Sequence, residues 1–370
     1  MKITSVEAIP LAVPYRRPFA FASGRVTAAD HVLVRITTDD GLVGHGEAPP
    51  RPYTYGETAA SVVAAIRDLF APVLVGADPF ARERIRADLA RTVANNAARG
   101  AVDVALWDLV GQACGQPVHV LLGHAADDVR AAHMIGLGTP AEMVADAVEM
   151  RDAYGVEAFK VKVGRDLAQD LGAVRALRRE LGDAVELYAD ANRGWDADTA
   201  VVGARRLAEH GVTMLEEPNP ADDVLGRRRI VAASPIPVVG DESTITLGGV
   251  ARSLLDGDSQ AISVKVARTG FTDSTKIVGL CEGLGVTTVV GNQIDGMLGT
   301  VASTALACGQ RALARHPVEV TNFLLMADDV PAEPPVIADG RAAARQGPGL
   351  GVTIDPDKLG HYRVDGNGST

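Results

Sequence analysis

Alternation of apolar and polar positions opens the chain. Residues 2–13 and 31–38 alternate as half-buried strands do, and the turn signal Asp39-Asp40-Gly41 predicts a hairpin to a third strand at 41–47. Three stretches after these strands carry apolar residues at helical spacing, at 57–69, 79–90 and 94–111. Because strands and helices are segregated, we predict an α+β domain over residues 1–125.

After residue 125, short apolar runs alternate with helical patterns. The predicted strands lie at 129–135, 158–163, 185–189, 213–215, 237–240, 261–266, 287–290 and 318–321. The predicted helices lie between them, at 140–154, 168–181, 198–210, 221–233, 247–255, 272–284 and 300–311. Eight such units favour an α/β fold with a closed parallel barrel over 126–330. A doubly wound sheet is the alternative, but no G-x-G-x-x-G follows the first strand. We expect residues 331–370 to return to the first domain, with a final strand near the end.

Composition narrows the class of protein. The 370 residues are 47% hydrophobic and 22% charged, which excludes a wholly disordered chain. The net charge of −11 argues against a nucleic-acid partner. Three cysteines without a C-x-x-C pair indicate a reducing compartment. No signal peptide or membrane span is evident in the pattern, so we expect a cytoplasmic protein, as a homo-oligomer.

Charged residues end five consecutive predicted strands, beginning with the second. These residues are Lys160 and Lys162, Asp190, Glu216, Asp241 and Lys265. The steps from 190 to 216, 241 and 265 are 26, 25 and 24 residues, about one strand–helix unit each. Because the strands of such a barrel present their C-terminal ends at one rim, we expect these side chains to meet there.

The three acidic residues predict a site for a hard divalent cation. Mg²⁺ prefers oxygen ligands, and three converging carboxylates without a cation would repel one another. Lys160 and Lys162 share one strand face, and a lysine beside a cation has a lowered pKa that suits proton transfer. The pattern predicts a metal-bound carboxylate substrate and a stabilised enediolate. His45 and His133 could also be ligands, although a histidine in an apolar run more often belongs to the core.

Taken alone, each motif has a structural explanation as a turn, a strand end or a solvated face. Together, their residues resemble the enolase superfamily, in its muconate lactonizing enzyme subgroup, over nearly the whole chain. The resemblance also extends to the helix at 101–111. The motifs that carry it are Lys160-Val161-Lys162, Asp190-Ala191-Asn192-Arg193-Gly194-Trp195, Leu215-Glu216-Glu217-Pro218, Gly240-Asp241-Glu242-Ser243 and Ser263-Val264-Lys265-Val266-Ala267-Arg268-Thr269-Gly270.

The resemblance implies a TIM-like (βα)7β barrel with an N-terminal α+β capping domain. It also implies Mg²⁺ or Mn²⁺ held by Asp190, Glu216 and Asp241, with Asn192 and Glu242 next to these ligands. The roles that it implies for the remaining residues are proton transfer by Lys162 and Lys265, carboxylate binding by Lys160, and pairing of Asp295 with Lys265. The absence of a histidine at the seventh strand end argues against the mandelate racemase branch.

Fold and metal site do not determine the reaction, because the subgroup includes cycloisomerases, dehydratases, racemases and epimerases. We expect specificity to come from loops at 16–25 and 49–55 and from the eighth strand end, 319–323. The substrate-contact candidates are Phe19, Arg51, Tyr53, Asn292 and Asp295. The eighth strand end lacks the Asp-x-Asp typical of dipeptide epimerases in the subgroup.

The stretches at 48–53 and 291–296 look most like muconate cycloisomerases. We therefore expect lactonisation of cis,cis-muconate, a small dicarboxylate, through a metal-stabilised enolate. The alternatives are a racemase or epimerase of N-acylamino acids or proline-type carboxylates, a dehydratase, and a carboxylate-binding protein without catalytic activity. Lysines on both sides of the predicted substrate argue against the last, because a binding protein would not need them.

Overall fold

The chain begins with a three-stranded antiparallel sheet. The computed structural model describes residues 1–21 and 24–365, and the side chains of all of these except 19–21 and 24–25. The strands are β1 (Ile3–Phe21), β2 (Gly24–Thr38) and β3 (Val43–Ala48), paired in that order. Most of the predicted loop at 16–25 lies in strands instead, since β1 reaches Phe21, β2 begins at Gly24 and Phe19 pairs with Val26, whereas residues 22 and 23 lie outside the described residues.

Helices follow the sheet in the predicted order. They are α1 (Ala59–Ala64), a π-helical stretch (Ala65–Phe70), α2 (Ala71–Leu74), α3 (Arg82–Leu89), α4 (Asn96–Cys114) and α5 (Val118–Leu121). The sheet lies directly on α4, with Gly44 and Gly46 at the contact. A Cβ atom on Gly46 would clash with the carbonyl oxygen of Ala101, so glycine is what allows β3 to approach the helix backbone.

The second part of the chain forms an eight-stranded parallel sheet closed into a barrel-like shape. Its strands are β4 (Asp128–Ile135), β5 (Ala158–Lys162), β6 (Glu186–Asp190), β7 (Val212–Glu216), β8 (Val238–Gly240), β9 (Ala261–Val264), β10 (Thr287–Val290) and β11 (Val318–Glu319). Neighbours in sequence pair from β4 to β10, and β11 returns to pair with β4. This order confirms the predicted α/β fold, a (βα)7β barrel with an antiparallel capping domain.

Seven helical connections link the strands. They are α6 (Pro140–Tyr154), α7 (Leu167–Leu181), α8 (Ala197–Ala208), α9 (Val224–Ala233), α10 (Leu247–Asp256), α11 (Val266–Gly283) and α12 (Met297–Gly309), the last extended by α13 (Arg311–Ala314). Five of them begin at a side chain that accepts a backbone N–H bond. These N-caps are Thr139, Asp166, Asp196, Asp223 and Thr246.

Helix α11 begins six residues before the predicted start at Thr272, because it includes a kink at Gly270. There φ is 57° and ψ is −166°, a conformation open to glycine. The kink directs the backbone N–H groups of Phe271 and Thr272 to the Asp103 carboxylate of α4, at 2.7 and 2.9 Å. Thus the helix that follows Lys265 is tied to the capping domain.

Glu47 at the end of β3 makes a second tie between the domains. Its carboxylate accepts the N–H groups of Gly296 and Gly299 at the start of α12, at 2.7 and 2.8 Å. The His31 ring lies 2.6 Å from the same carboxylate. Burial alone would raise the pKa of Glu47, but His31 and these N–H groups lower it below its ordinary value.

The C-terminal part packs against both domains. The hairpin of β12 (Ile337–Ala338) and β13 (Arg341–Ala343) adds to the sheet beside β4. The expected final strand is instead a helix, α14 (Pro356–Tyr362), which Asp355 caps and Pro356 begins. After it, the N–H of Val364 donates to the Pro10 carbonyl of β1. Among the described residues, no helix has the length and apolar character to cross a membrane.

Inward-facing barrel positions divide into two layers. Small apolar and aromatic side chains such as Ala158 on β5 and Tyr188 on β6 pack together at the N-terminal part of the strands. Along the same strand faces, two residues further on, stand Lys160 and Asp190. The barrel is therefore filled with packed side chains at one end and with charge at the other.

The contact of β3 with α4 gives a stability prediction. We expect Gly46→Ala to lower the free energy of unfolding by about 1–3 kcal/mol, since the methyl group must displace the α4 backbone. Gly172→Ala on α7, where a Cβ meets nothing within 4 Å, is the matched control and should be neutral or stabilising. Thermal unfolding followed by circular dichroism measures both, and equal melting temperatures would contradict the close approach.

Candidate active site

Strand register brings three of the predicted charged residues into one row. Lys162 on β5 pairs with Asp190 on β6, and Asp190 pairs with Glu216 on β7. Asp241 follows Gly240, the last residue of β8. The row lies at the C-terminal ends of the strands, where the spacing predicts it.

Lys160 lies beneath this row among carboxylates. Its Nζ is 2.9 Å from Glu216 Oε1, 3.3 Å from Asp190 Oδ2 and 2.8 Å from Glu319 Oε1 at the end of β11. Tyr188 donates to the same Glu319 at 2.9 Å. Burial lowers the pKa of Lys160, but the three carboxylates outweigh it and raise the pKa well above its ordinary value. Lys160 is therefore a fixed cation in the barrel core.

Lys162 stands at the other end of the same strand face. Its Nζ is 2.7 Å from Asp190 Oδ2 and 2.7 Å from Asn192 Oδ1. The Asn192 amide in turn donates to Glu242 at 3.2 Å. Asn192 has a left-handed backbone, with φ of 42°, which turns its side chain back towards the lysine. Asn192 thus orients Lys162 and connects the second and fifth barrel strands.

Lys265, the residue that follows β9, faces the row. Its Nζ is 2.6 Å from Asp241 Oδ2 and 3.1 Å from the hydroxyl of Tyr55, which the capping domain supplies. Arg268 on α11 also donates to both Tyr55 and Asp241. Burial lowers the pKa of Lys265, but Asp241 and Tyr55 raise it above its ordinary value. In this structure Lys265 is paired with a carboxylate, and the lowered pKa of a lysine beside a bound cation stays a prediction.

The carboxylates respond to burial and to these cations in different ways. Burial raises the pKa of Glu216 well above its ordinary value, with only Lys160 opposing it. Burial also acts on Asp190 and Asp241, but the neighbouring cations lower the pKa of both. The pKa of Glu242 rises to about 8 because of burial and the Asp241 charge. The buried carboxylates and cations of the site thus determine one another's pKa values, because water does not screen their charges.

The donor set fits a hard divalent cation. Glu216 Oε2 is fully buried and has no hydrogen-bond partner within the described part of the chain, although a buried carboxylate oxygen normally has one. It stands in the row with Asp190, and Asp241 lies on the next strand, so oxygen donors come from three consecutive strands. Glu217 supports this arrangement, since it accepts from Arg227 and from the N–H of Asp241, at 2.7 and 2.8 Å.

A small cavity of about 30 Å³ opens beside this row. Three cationic side chains, Arg51, Lys162 and Lys265, line it, and the only carboxylate among its lining residues is Asp241. Asn192, Asn292 and Tyr55 also contribute to its wall. The cavity is therefore suited to an anionic molecule.

Several predicted substrate contacts lie elsewhere. Asp295 is buried behind the cavity, where Ser303 donates to it at 3.3 Å, and it forms no ion pair with Lys265 among the described residues. Its pKa rises to about 7 through burial. Lys160 does not line the cavity, and Tyr53 is 74% exposed on the outer surface. The side chain of Phe19 lies outside the described residues.

The two histidines considered as ligands are remote from the carboxylate row. His133 contacts Thr321 and Asp146, at 2.8 and 3.1 Å, and His45 is on β3, facing the capping domain. Sequence analysis missed the parts played by Tyr55, Arg268 and Glu319. Arg268 lies within the motif at 263–270 and Glu319 within the predicted eighth strand end at 319–323, so the sequence carries a signal for both residues but not for these contacts.

Comparisons with known proteins agree with this architecture. The model for the mandelate racemase / muconate lactonizing enzyme N-terminal domain matches residues 3–123, and the enolase C-terminal domain-like model matches 142–358. The L-Ala-D/L-Glu epimerase of Bacillus subtilis is 33% identical, covering 95% of this chain and 97% of that protein. Muconate cycloisomerase 1 of Rhodococcus opacus is 32% identical, covering 97% and 98%.

Solved structures give the same two groups. The muconate lactonizing enzyme of Mycobacterium smegmatis complexed with muconolactone is 49% identical, with a TM-score of 0.97 over 99% of this chain and 100% of that one. A dipeptide epimerase of Enterococcus faecalis complexed with Mg and a dipeptide is 27% identical, with a TM-score of 0.90 over 95% and 100%. The chain is therefore an isomerase of the enolase superfamily, in the mandelate racemase / muconate lactonizing enzyme family.

Proposed function

We propose that this protein is a muconate cycloisomerase, which converts cis,cis-muconate to muconolactone. The observation that carries the proposal is the charge of the cavity, in which Arg51, Lys162 and Lys265 face one carboxylate, Asp241. Muconate is a dianion, and charge-assisted bonds to cations suit its two carboxylates. The likeness to the lactonizing enzyme of Mycobacterium smegmatis supports the same substrate.

One carboxylate of muconate would lie at the row of Asp190, Glu216 and Asp241. A divalent cation bound there, Mg²⁺ or Mn²⁺, would polarise that carboxylate. The other carboxylate would lie towards Arg51, whose guanidinium is largely buried in the capping segment. Burial lowers the pKa of Arg51, although arginine keeps its charge at neutral pH.

Lactone formation then needs one bond and one proton. An oxygen of the carboxylate near Arg51 bonds to the nearer carbon of the remote double bond, which closes a five-membered ring. The electron pair of that double bond moves to the carbon beside the other carboxylate, which takes a proton from Lys162 or Lys265. Both lysines line the cavity from different strands, so either ammonium can serve as the acid.

The epimerase alternative rests on similarity of the same order, since the Bacillus subtilis epimerase is 33% identical. A dipeptide carries an ammonium group that needs an acceptor. At the end of β11, Glu319 is occupied by Lys160 and Tyr188, and Thr321 contacts His133. No carboxylate other than Asp241 is left among the described lining residues, which favours the dianionic substrate.

The first test is the loss of the diene absorbance of cis,cis-muconate in the presence of Mn²⁺ or Mg²⁺. We expect turnover that EDTA abolishes and that restored metal recovers. Lys162→Ala and Lys265→Ala should each lower kcat by about 10²–10⁴-fold, the usual contribution of a positioned acid or base. Lys276→Ala is the matched control, since Lys276 is on α11 and pairs with Glu83 at the surface.

The same assay can overturn the proposal. Turnover of muconate that persists in EDTA would remove the metal from the mechanism, and full activity of Lys162→Ala would remove that lysine. Without any muconate turnover, solvent deuterium exchange into dipeptides and N-acylamino acids would identify the epimerase or racemase. Circular dichroism of each variant separates loss of chemistry from loss of fold.

A second test addresses Arg51. We expect Arg51→Gln to raise KM for muconate by about 10–100-fold, with a smaller effect on kcat, because a charged hydrogen bond contributes about 1.5–3 kcal/mol. Kinetics over a range of muconate concentrations measure the split between KM and kcat. An unchanged KM would show that the second carboxylate binds elsewhere.

A further inference from the structure

A larger cavity lies on the other side of Arg268, between the capping domain and the barrel. Its volume is about 190 Å³, and it is enclosed by α3 and α4 of the capping domain and by the residues that begin α10 and α11. Arg82, Arg86 and Arg99 line it from the capping domain, and Arg268 lines it from the barrel. Four arginines therefore line one space between the capping domain and the barrel.

Two of these arginines lack acidic partners. Among the described residues, neither Arg82 nor Arg99 is within 4 Å of a carboxylate oxygen. Arg82 stacks on the Trp107 ring, 4.0 Å from its centroid, and its Nη1 is buried without a hydrogen-bond partner. The Arg99 guanidinium donates to the side-chain oxygen of Asn96, at 2.6 Å. Burial lowers the pKa of both groups, and the more distant charges of Asp103 on Arg82 and of Asp273 on Arg99 offset it only in part.

Acidic residues in the same wall are already engaged. Asp103 accepts the N–H groups of Phe271 and Thr272 together with the Thr272 hydroxyl. Asp273 pairs with Arg86. Arg268 faces the cavity as a lining residue, and its buried Nε has no partner, whereas its Nη1 contacts Asp241 and Tyr55.

We propose that this cavity binds a small oxyanion, a carboxylate or phosphate group, between Arg82, Arg99 and Arg268. Buried donors without a partner are costly, and an oxyanion supplies acceptors that match the planar geometry of guanidinium groups. The space has room for a molecule of a few heavy atoms beyond one oxyanion. Because the cavity does not include Lys162 or the carboxylate row, this proposal does not rest on the proposed lactonisation.

The position of Arg268 gives the cavity a connection to the candidate active site. One edge of this guanidinium holds Asp241 and Tyr55, and the side chain also forms part of the cavity wall. An anion that contacts Arg268 would compete with Asp241 for the positive charge of its guanidinium group. Occupation of the cavity and cation binding at Asp241 would then influence each other, as linkage requires.

Calorimetric titration of the full chain with inorganic phosphate, and separately with succinate, tests the proposal in buffer without divalent cations. We expect saturable binding of at least one of the two anions, and the arm that binds identifies phosphate or carboxylate as the preferred group. Arg82→Gln and Arg99→Gln should each weaken that binding about tenfold or more. Arg84→Gln is the matched control, since Arg84 is on α3 but is exposed and does not line the cavity.

Two outcomes would overturn the proposal. Binding that is equal in Arg82→Gln, Arg99→Gln and Arg84→Gln would place the anion elsewhere, with the cavity of Lys162 and Lys265 as the alternative. No saturable binding of either anion to the wild-type chain would exclude an oxyanion site of this kind. Melting temperatures identify a variant that fails to fold, and the two arginines come from different helices, so one informative variant is enough.

Discussion

The candidate site depends on one constraint: each charged side chain buried in the barrel lies close to a group of opposite charge. Asp190, Glu216 and Asp241 are fully buried, and Lys160, Lys162 and Lys265 stand among them. Removing one member would leave an uncompensated charge in a medium that screens weakly, at a cost of several kcal/mol. The strand register of β5, β6 and β7 is what places these charges side by side, so fold and site impose the same constraint on the sequence.

The capping domain completes this balance. Tyr55 joins Lys265, Arg268 and Asp241 from a segment with no regular secondary structure, and Arg51 brings a cation to the cavity. In the proposed function the barrel would provide the acid–base and metal-ligand side chains from its strand ends, whereas the capping domain would provide side chains that a substrate meets first. Such a division allows related enzymes to change substrate while keeping the chemistry of the barrel.

The sequence is most informative where charged residues recur at regular intervals along the chain. Lys162, Asp190, Glu216 and Asp241 each end an apolar strand at constant spacing, so their meeting at one rim could be predicted. The part of Tyr55 could not, because it approaches Asp241 across 186 residues of chain and lies in no periodic segment. Asp295 and Tyr53 are predicted substrate contacts because of their place in the chain. That Asp295 is buried and Tyr53 exposed depends on tertiary packing, which the local sequence does not show. The kink at Gly270 also follows from a contact with Asp103, which local sequence does not encode.

The carboxylate of Glu47 affects how the capping domain and the barrel separate on unfolding. Glu47 belongs to a strand of the capping domain, but it accepts backbone N–H groups at the start of the barrel helix α12. Separating the domains would therefore leave these N–H groups without their acceptor. Asp103 does the same for the second segment of α11. The capping domain thus supplies acceptors for the backbone of two barrel helices, and we expect the two domains to unfold together as one cooperative unit. A capping domain transplanted from a relative would need these two acids before its specificity loops could matter.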